Sequence, residues 1–356
     1  MTILKGVAIL FMLLLHLFCR KDVNGLYETY PTINGIPFVY YIGLFGDACV
    51  SIYCFASGYG LYISINNEQK SVLKRNLERI FKLLVNYWII LVMFVIVGFL
   101  VGKSDLYPGS LSKFLLNFFT LSYSYNGAWW FLQTYIILVL LAPLLVSLIK
   151  KYNTLLLISI TGVIYLLSYI QRIKHIYDFG GNVYINAVVN SIVLLGTSLL
   201  PFVIGSVFAK EKIYTKMSLL IHKVPFKNTI CLLGILLLVF IHSRIETLFI
   251  APFTAIPFIC LFTIIKKGKR VQNSLEFFGK HSTNIWLTHM FFYGTLFQSL
   301  VFAPKYPVLI FTWLLILCLI SSWFINLLFK PIVKLIDKVA STIKNNQKTS
   351  SDYLRL

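Results

Sequence analysis

The sequence predicts an all-α, polytopic integral membrane protein with about ten transmembrane helices, N-in and C-in. The first observation behind this prediction is composition. Hydrophobic residues make up 58% of the 356 positions and charged residues only 12%, about half the charged fraction that is typical of a soluble domain. The second is that apolar runs of bilayer-spanning length, about 17 to 25 residues, recur along the chain.

Ten spans follow from these apolar runs. They lie near residues 3–19, 40–64, 81–101, 129–149, 154–170, 186–209, 228–242, 248–266, 282–302 and 307–330. The stretch 112–122 is too short to cross a bilayer, so we expect it to lie at an interface or to re-enter. The first run is predicted to be an uncleaved span, because no small-residue cleavage site follows it.

The positions of lysine and arginine predict the orientation. With the N-terminus inside, 24 of the 32 basic residues fall on the inner side and the remaining 8 on the outer side, as the positive-inside rule requires. The net charge of +20 is therefore topogenic and predicts no nucleic-acid partner. Residues 1–332 are predicted to form the transmembrane domain and residues 333–356 a Lys-rich cytoplasmic tail.

The cysteines carry no predicted site. All six lie in or beside apolar runs, and none has CxxC spacing. Neither a disulfide framework nor a metal site is therefore predicted.

Ionisable side chains inside predicted spans are candidates for function, because each costs roughly 2.5–3.5 kcal/mol to insert. His16 in the first span and Asp47 in the second are expected at similar depth. Asp47 can hold one imidazole nitrogen of His16 and leave the other free as a base. Lys5 lies 11 residues before His16, which places both on one helix face about 16 Å apart. A satisfied polar pair that only locks two helices is the alternative.

Two arginines follow the second span. Arg75 and Arg79 are spaced i, i+4, so both guanidinium groups project from one face of a helix at the inner side. Such a pair is suited to bind phosphate. Positive-inside charge without a ligand is the alternative interpretation.

Two further segments have unusual polar or aromatic residues. Trp130 lies in the Gly-Ala-Trp-Trp-Phe-Leu stretch that opens the fourth span, where an interfacial aromatic belt is the usual explanation. His289 lies about two turns into the ninth span, after a Ser/Thr cluster that begins at Ser282. A single intramembrane histidine can also be a packing hydrogen-bond donor.

Together these segments resemble the bacterial membrane-bound acyltransferase-3 family from about Ile3 to Pro331. The matching segments are Lys5 with His16, Gly46-Asp47 with Ser57-Gly58, Arg75 with Arg79, Trp130-Phe131-Leu132, and Ser282 to His289. Their order and their places in the predicted spans are those of the family. Lys5 stands where the family usually has arginine, and it lacks the bidentate fork of a guanidinium.

The resemblance implies an O-acyltransferase without a fused extracytoplasmic esterase-like domain, located in the bacterial inner membrane. The expected donor is acyl-CoA, with acetyl-CoA as the default, and no cofactor is permanently bound. The expected acceptor is a hydroxyl of a cell-surface or lipid-linked carbohydrate. His16 and Asp47 are the expected catalytic residues, Lys5, Arg75 and Arg79 the expected donor-binding residues. Ser57, Trp130 and His289 are candidates for the acceptor or carbonyl site.

The class of protein and its oligomeric state stay open at this point. A polysaccharide or small-solute transporter can use the same buried histidine and aspartate as a proton relay. A polysaccharide polymerase or ligase shares the aromatic richness, although it usually has its critical arginines in large outer loops. Membrane lipid is an expected partner, and a homo-oligomer is possible.

Overall fold

The structure is a computed structural model that describes residues 1–67, 72–221 and 223–353. Within these ranges the chain is almost entirely helical, apart from a short hairpin of β1 (Thr32–Ile33) and β2 (Ile36–Pro37). The helices are α1 (Thr2–Phe18), α2 (Phe38–Leu44), α3 (Ala48–Asn67), α4 (Val72–Leu100), α5 (Leu111–Phe118), α6 (Trp130–Lys151), α7 (Thr154–Lys174), α8 (Val183–Lys210), α9 (Ile213–Ile221), α10 (Lys227–Arg244), α11 (Ala251–Ile264), α12 (Lys269–Met290), α13 (Gln298–Phe302) and α14 (Pro307–Tyr353).

The helices confirm a multi-pass membrane protein. In the described part of the chain, seven helical segments are long and apolar enough to cross a bilayer. They are Phe38–Asn67, Val72–Leu100, Gly127–Lys151, Thr154–Lys174, Ile185–Lys210, Lys227–Arg244 and Pro307–Lys338. The predicted first and eighth spans correspond to shorter apolar helices, Thr2–Phe18 and Leu248–Ile264.

The predicted ninth span has a more complex structure than one helix. α12 begins at Lys269, well before residue 282, and its first half is polar. After Met290 the chain forms one π-helical turn, Phe291–Leu296, and then α13. The stretch 112–122 overlaps the eight-residue α5, which begins at Leu111 and at 1.5 Å per residue is too short to cross a bilayer.

Glycines allow two pairs of helices to pack with their backbones in contact. A methyl group at Gly6 of α1 would overlap the carbonyl oxygen of Leu275 on α12. One at Gly58 of α3 would overlap the carbonyl oxygen of Phe202 on α8. Small residues at helix interfaces in membranes allow such close approach. The Ser57-Gly58 segment is therefore explained in part by packing.

Polar side chains connect α4, α12 and α14 inside the bundle. Asn86 donates to Asn284 over 2.7 Å, and Asn284 donates to the hydroxyl oxygen of Ser322 over 2.9 Å. All three residues are buried. Because lipid offers no hydrogen bonds, such a network fixes the register of the three helices.

The predicted boundary between the transmembrane domain and the tail is not marked by a break. α14 continues through Pro331 to Tyr353, and Asp337 forms a 2.9 Å ion pair with Lys82 of α4. Residues 354–356 of the predicted tail lie outside the described residues. The domain division stays a prediction.

Candidate functional site

A cavity with a volume of about 360 Å³ lies between α1, α3, α4, α6, α7, α8, α11 and α12. Lys5 and His16 both line it, which confirms that they share one face of α1. Eleven residues separate them, or about 16 Å along the helix. We call the part near Lys5 and Arg79 the basic end, and the part near His16 and Asp47 the histidine end.

The basic end places two cations on one cavity wall. Lys5 comes from α1 and Arg79 from α4, and both line the cavity. The hydroxyl of Tyr53 on α3 donates to the backbone carbonyl of Lys5 over 3.3 Å, which ties α1 to α3 at this level. Two neighbouring cations in a partly enclosed site favour a ligand with more than one negative charge.

Arg75 is placed differently from Arg79. It is one turn earlier on α4, and its guanidinium donates to the carbonyl oxygen of Ser64 near the end of α3 over 3.1 Å. Arg75 is not among the residues that line the cavity. The i, i+4 spacing therefore brings one of the two arginines to the site and the other to the end of a neighbouring helix.

His16 has a different partner from the one expected. Its Nδ1 atom lies 3.0 Å from the hydroxyl oxygen of Tyr293, which is in the π-helical turn after α12. Among the described residues, no hydrogen bond joins His16 and Asp47, so the predicted pairing of these two side chains is wrong. The imidazole is nevertheless held by its Nδ1 side, which leaves Nε2 for the cavity.

His289 packs against His16. The two ring centroids are 4.8 Å apart with the rings at 68°. His289 is fully buried, and its Nδ1 lies 2.8 Å from the carbonyl oxygen of Trp286. Since a carbonyl oxygen can only accept, this nitrogen carries a proton. His289 does not line the cavity and instead supports His16 from behind.

Asp47 faces a histidine that the sequence reasoning missed. Its carboxylate lies 3.8 Å from Nε2 of His242 on α10, and Nδ1 of His242 lies 2.9 Å from the hydroxyl of Thr254 on α11. His242 is fully buried. As an ionisable residue in the predicted seventh span, it should have been a candidate by the same rule as His16.

Gly46 explains how Asp47 reaches the cavity. The 3₁₀ turn Phe45–Asp47 lies against α1, and a methyl group at Gly46 would overlap the carbonyl oxygen of Phe11. Only glycine allows the turn to come this close. The turn then directs the carboxylate of Asp47 to the histidine end.

Ser57, Trp130 and Trp286 line the cavity, and the acceptor or carbonyl role of the first two stays a prediction. The Nε1 atom of Trp286 donates to the carbonyl oxygen of Ala128 over 2.9 Å. This bond joins α12 to the segment that opens α6 and helps to hold Trp130 at the cavity wall.

The segment Thr247–Phe249 and helix α7 border the histidine end of the cavity. Tyr165 and Tyr169 of α7 line the cavity together with Arg172. The hydroxyl of Tyr165 donates to the carbonyl oxygen of Phe249 over 2.8 Å, and that of Tyr169 is hydrogen-bonded to Thr247. The sequence reasoning did not identify these three lining residues. Arg172 lies just beyond the predicted span 154–170 and was counted only among the eight basic residues of the outer side, although the observed α7 has it in its last turn.

An ion pair lies in the polar segments beyond this end. Lys21 and Glu246 are 2.5 Å apart, with both side chains more than a third exposed. The hydrogen bond from Lys21 holds the pKa of the Glu246 carboxyl below its ordinary value. The pair connects the segment after α1 with the segment after α10.

The arrangement has the parts of a group-transfer site without a metal centre. In the described ranges, no group of three or more His, Cys, Asp and Glu residues could hold a metal ion. The cavity instead offers an imidazole, a carboxylate, hydroxyls and cations in one partly enclosed space that several aromatic side chains line. These groups can bind an anionic carrier at one end and remove a proton at the other.

Comparison with known proteins supplies the classification. The family model of the acyltransferase domain matches residues 1–327 of the 356, which is nearly the whole chain. No curated protein and no solved structure matches the chain. The match includes every helix that contributes to the cavity, and we conclude that the chain belongs to the acyltransferase-3 family.

Proposed function

We propose that the protein is a membrane-bound O-acyltransferase that moves an acyl group, by default acetyl, from acyl-CoA to a hydroxyl of a cell-surface or lipid-linked carbohydrate. The observation that carries the proposal is that Lys5, Arg79, His16 and Asp47 line one cavity. The same cavity therefore connects the cations that can bind CoA with the base that can act on the acceptor hydroxyl.

The basic end accounts for the donor. The phosphates of CoA dock near Lys5 and Arg79, and the extended pantetheine arm reaches from there to the histidine end. The separation of Lys5 and His16, about 16 Å, is within the length of that arm. Arg75 contributes to the same positive region from outside the cavity wall, and its direct contact with phosphate stays a prediction from the sequence.

His16 acts as the general base. Nδ1 carries a proton and donates to Tyr293 Oη, so that Nε2 has the free lone pair. Nε2 takes the proton of the acceptor hydroxyl while the hydroxyl oxygen attacks the thioester carbonyl carbon. The C–O bond forms and the C–S bond breaks. The CoA thiolate leaves and receives the proton from His16.

Asp47 supports the reaction through charge rather than through a hydrogen bond to His16. Its carboxylate lies in the same enclosed space and favours the imidazolium that forms during transfer. Ser57 and Trp130 line the acceptor or carbonyl region. His289 keeps the His16 ring in place.

The same proposal includes a location. The family membership supports a bacterial inner membrane, and the charge asymmetry of the sequence supports an orientation with both termini inside. The basic end then faces the cytoplasm, where acyl-CoA is made, and the histidine end faces outward. Membrane lipid surrounds the protein.

Sealed vesicles of the two orientations test the function and its geometry together. Inside-out vesicles should consume acyl-CoA added to the bath and release CoA, whereas right-side-out vesicles should not, because acyl-CoA does not cross the bilayer. The consumption should disappear in vesicles with His16→Ala protein.

Two outcomes contradict the proposal. Consumption in neither orientation, with protein correctly inserted, favours the transporter that the sequence left open. Equal consumption in both orientations contradicts the inner position of the donor site.

A further inference from the structure

Arg172 is a cavity-lining cation to which the proposed reaction gives no role. It is in the last turn of α7 and is partly buried. The central carbon of its guanidinium lies 5.6 Å from the ring centroid of Trp130. Tyr165 and Tyr169, whose hydroxyls are bound to the Thr247–Phe249 segment, line the same wall of the cavity.

Arg172 belongs to the histidine end. Tyr169 precedes it by less than one turn and is hydrogen-bonded to Thr247. Thr247 follows His242, the partner of Asp47, by only five residues. Arg172 is therefore at the opposite end of the cavity from Lys5 and Arg79.

No acidic side chain neutralises Arg172 within the described ranges. The ion pairs found there involve other cations, and the carboxylate of Asp47 is directed at His242. Within the same ranges the guanidinium packs against the Trp130 ring, which orients its plane but does not use its N–H donors. A partly buried guanidinium without a carboxylate is suited to bind an anionic group bidentately.

We infer that Arg172 and Trp130 form a subsite for the anionic group of a charged saccharide, a carboxylate or a phosphate, so that the acceptor is an acidic rather than a neutral glycan. The inference rests on the proposed function for the identity of the ligand as the acceptor. Aromatic side chains around Arg172 provide flat apolar faces on which a pyranose ring can pack. The guanidinium adds the charge selectivity that such faces lack.

Binding of small saccharides tests the subsite without turnover. The purified full-length protein in nanodiscs is titrated with methyl glucuronoside, glucose 6-phosphate and methyl glucoside. We expect at least one of the two anionic sugars to bind about tenfold more tightly than the neutral one, as a charged hydrogen bond allows. The two anionic sugars distinguish carboxylate from phosphate.

Variants assign the preference to Arg172. Arg172→Gln should reduce the ratio of the affinities for the anionic and the neutral sugars to about one, while the weak affinity for methyl glucoside stays unchanged. Arg172→Lys should retain part of the preference for anionic sugars, because the positive charge remains but the bidentate guanidinium is lost. Lys174→Gln is the matched control, since Lys174 is an exposed cation in the same turn that does not line the cavity.

Several results overturn the inference. They are equal binding of the three sugars, no binding of any, an unchanged preference in Arg172→Gln, or an Arg172→Gln variant that loses affinity for free CoA instead. Because the assay reads binding, failure of acyl transfer in vesicles with intact sugar preference would refute the proposed function alone. Acyl transfer with no preference would refute the subsite alone.

Discussion

The two ends of the cavity differ in how far the protein itself satisfies their polar groups. At the histidine end, Nδ1 of His16 has Tyr293, Asp47 has His242, and His242 has Thr254. At the basic end, Lys5 and Arg79 line the wall, and no side-chain hydrogen bond or ion pair of either cation is found in the described ranges. The catalytic groups of the histidine end are thus held in a fixed arrangement, whereas the two cations of the basic end, like Arg172, are open to a ligand.

This difference separates two kinds of contribution to catalysis. Groups held by buried partners keep their geometry before substrate arrives, which lowers the barrier for the chemical step. Cations that wait for a remote phosphate add binding energy that is the same in the ground state and the transition state. Changes at the histidine end should therefore alter kcat, and changes at the basic end should alter KM.

The largest expected effect is at His16. His16→Ala should reduce kcat by about 10² to 10⁴, because a positioned general base contributes that much. The KM for acyl-CoA should change little, since the phosphates dock at the other end. Steady-state kinetics of the purified protein with acyl-CoA measure both quantities.

His175→Asn is the control for that variant. His175 is an exposed residue with left-handed backbone after α7, a conformation that asparagine tolerates. The kcat of the His175→Asn protein should equal that of the wild type. A His16→Ala protein that folds and keeps wild-type kcat would refute the role of His16 as base.

The next effect concerns Tyr293. Tyr293→Phe removes only the oxygen that lies 3.0 Å from Nδ1 of His16, and the ring stays against His289. The Nδ1 proton then lacks its acceptor, which costs about 1–3 kcal/mol. We expect kcat to fall by roughly tenfold to a hundredfold with both KM values unchanged.

Tyr306→Phe provides the comparison, because Tyr306 is 61% exposed and does not line the cavity. If Tyr293→Phe instead lowers the melting temperature and raises KM without changing kcat, Tyr293 has only a structural role.

The two ends also differ in what the sequence could predict. The helical segments and the shared face of Lys5 and His16 follow from apolar runs and helix periodicity, whereas the position of Arg79 beside them follows from the packing of α4. The partner of His16 does not, since Tyr293 is 277 residues away and enters through a π-helical turn. His242 likewise reaches Asp47 only through the packing of α10 near the 3₁₀ turn. Periodicity gives the face of a helix but not the neighbour that the face meets.

Arg75 and Arg79 form a natural test within one helix. Arg79→Gln should raise the KM for acyl-CoA about tenfold with little change in kcat, which indicates the loss of uniform binding. Arg75→Gln should leave that KM near the wild-type value and lower the melting temperature, because its guanidinium bonds to the end of α3. Equal increases of KM in both variants would show that the donor site extends beyond the cavity to Arg75.

The smallest expected effect lies outside both ends, at Lys21 and Glu246. The carboxyl pKa of Glu246 is lowered in the folded protein by the hydrogen bond from Lys21. The pair therefore stabilises the fold at neutral pH, and this contribution is lost as the pH falls through the lowered pKa of the carboxyl. Both side chains are substantially exposed, so the contribution is about 0–1 kcal/mol.

Glu246→Gln should lower the melting temperature slightly at pH 7 and not at all once the carboxyl is protonated, with kcat and KM unchanged. Glu28→Gln removes another exposed carboxylate from the segment after α1 and should have no such pH-dependent effect. A loss of activity in Glu246→Gln at neutral pH would mean that this ion pair shapes the histidine end rather than only connecting two loops.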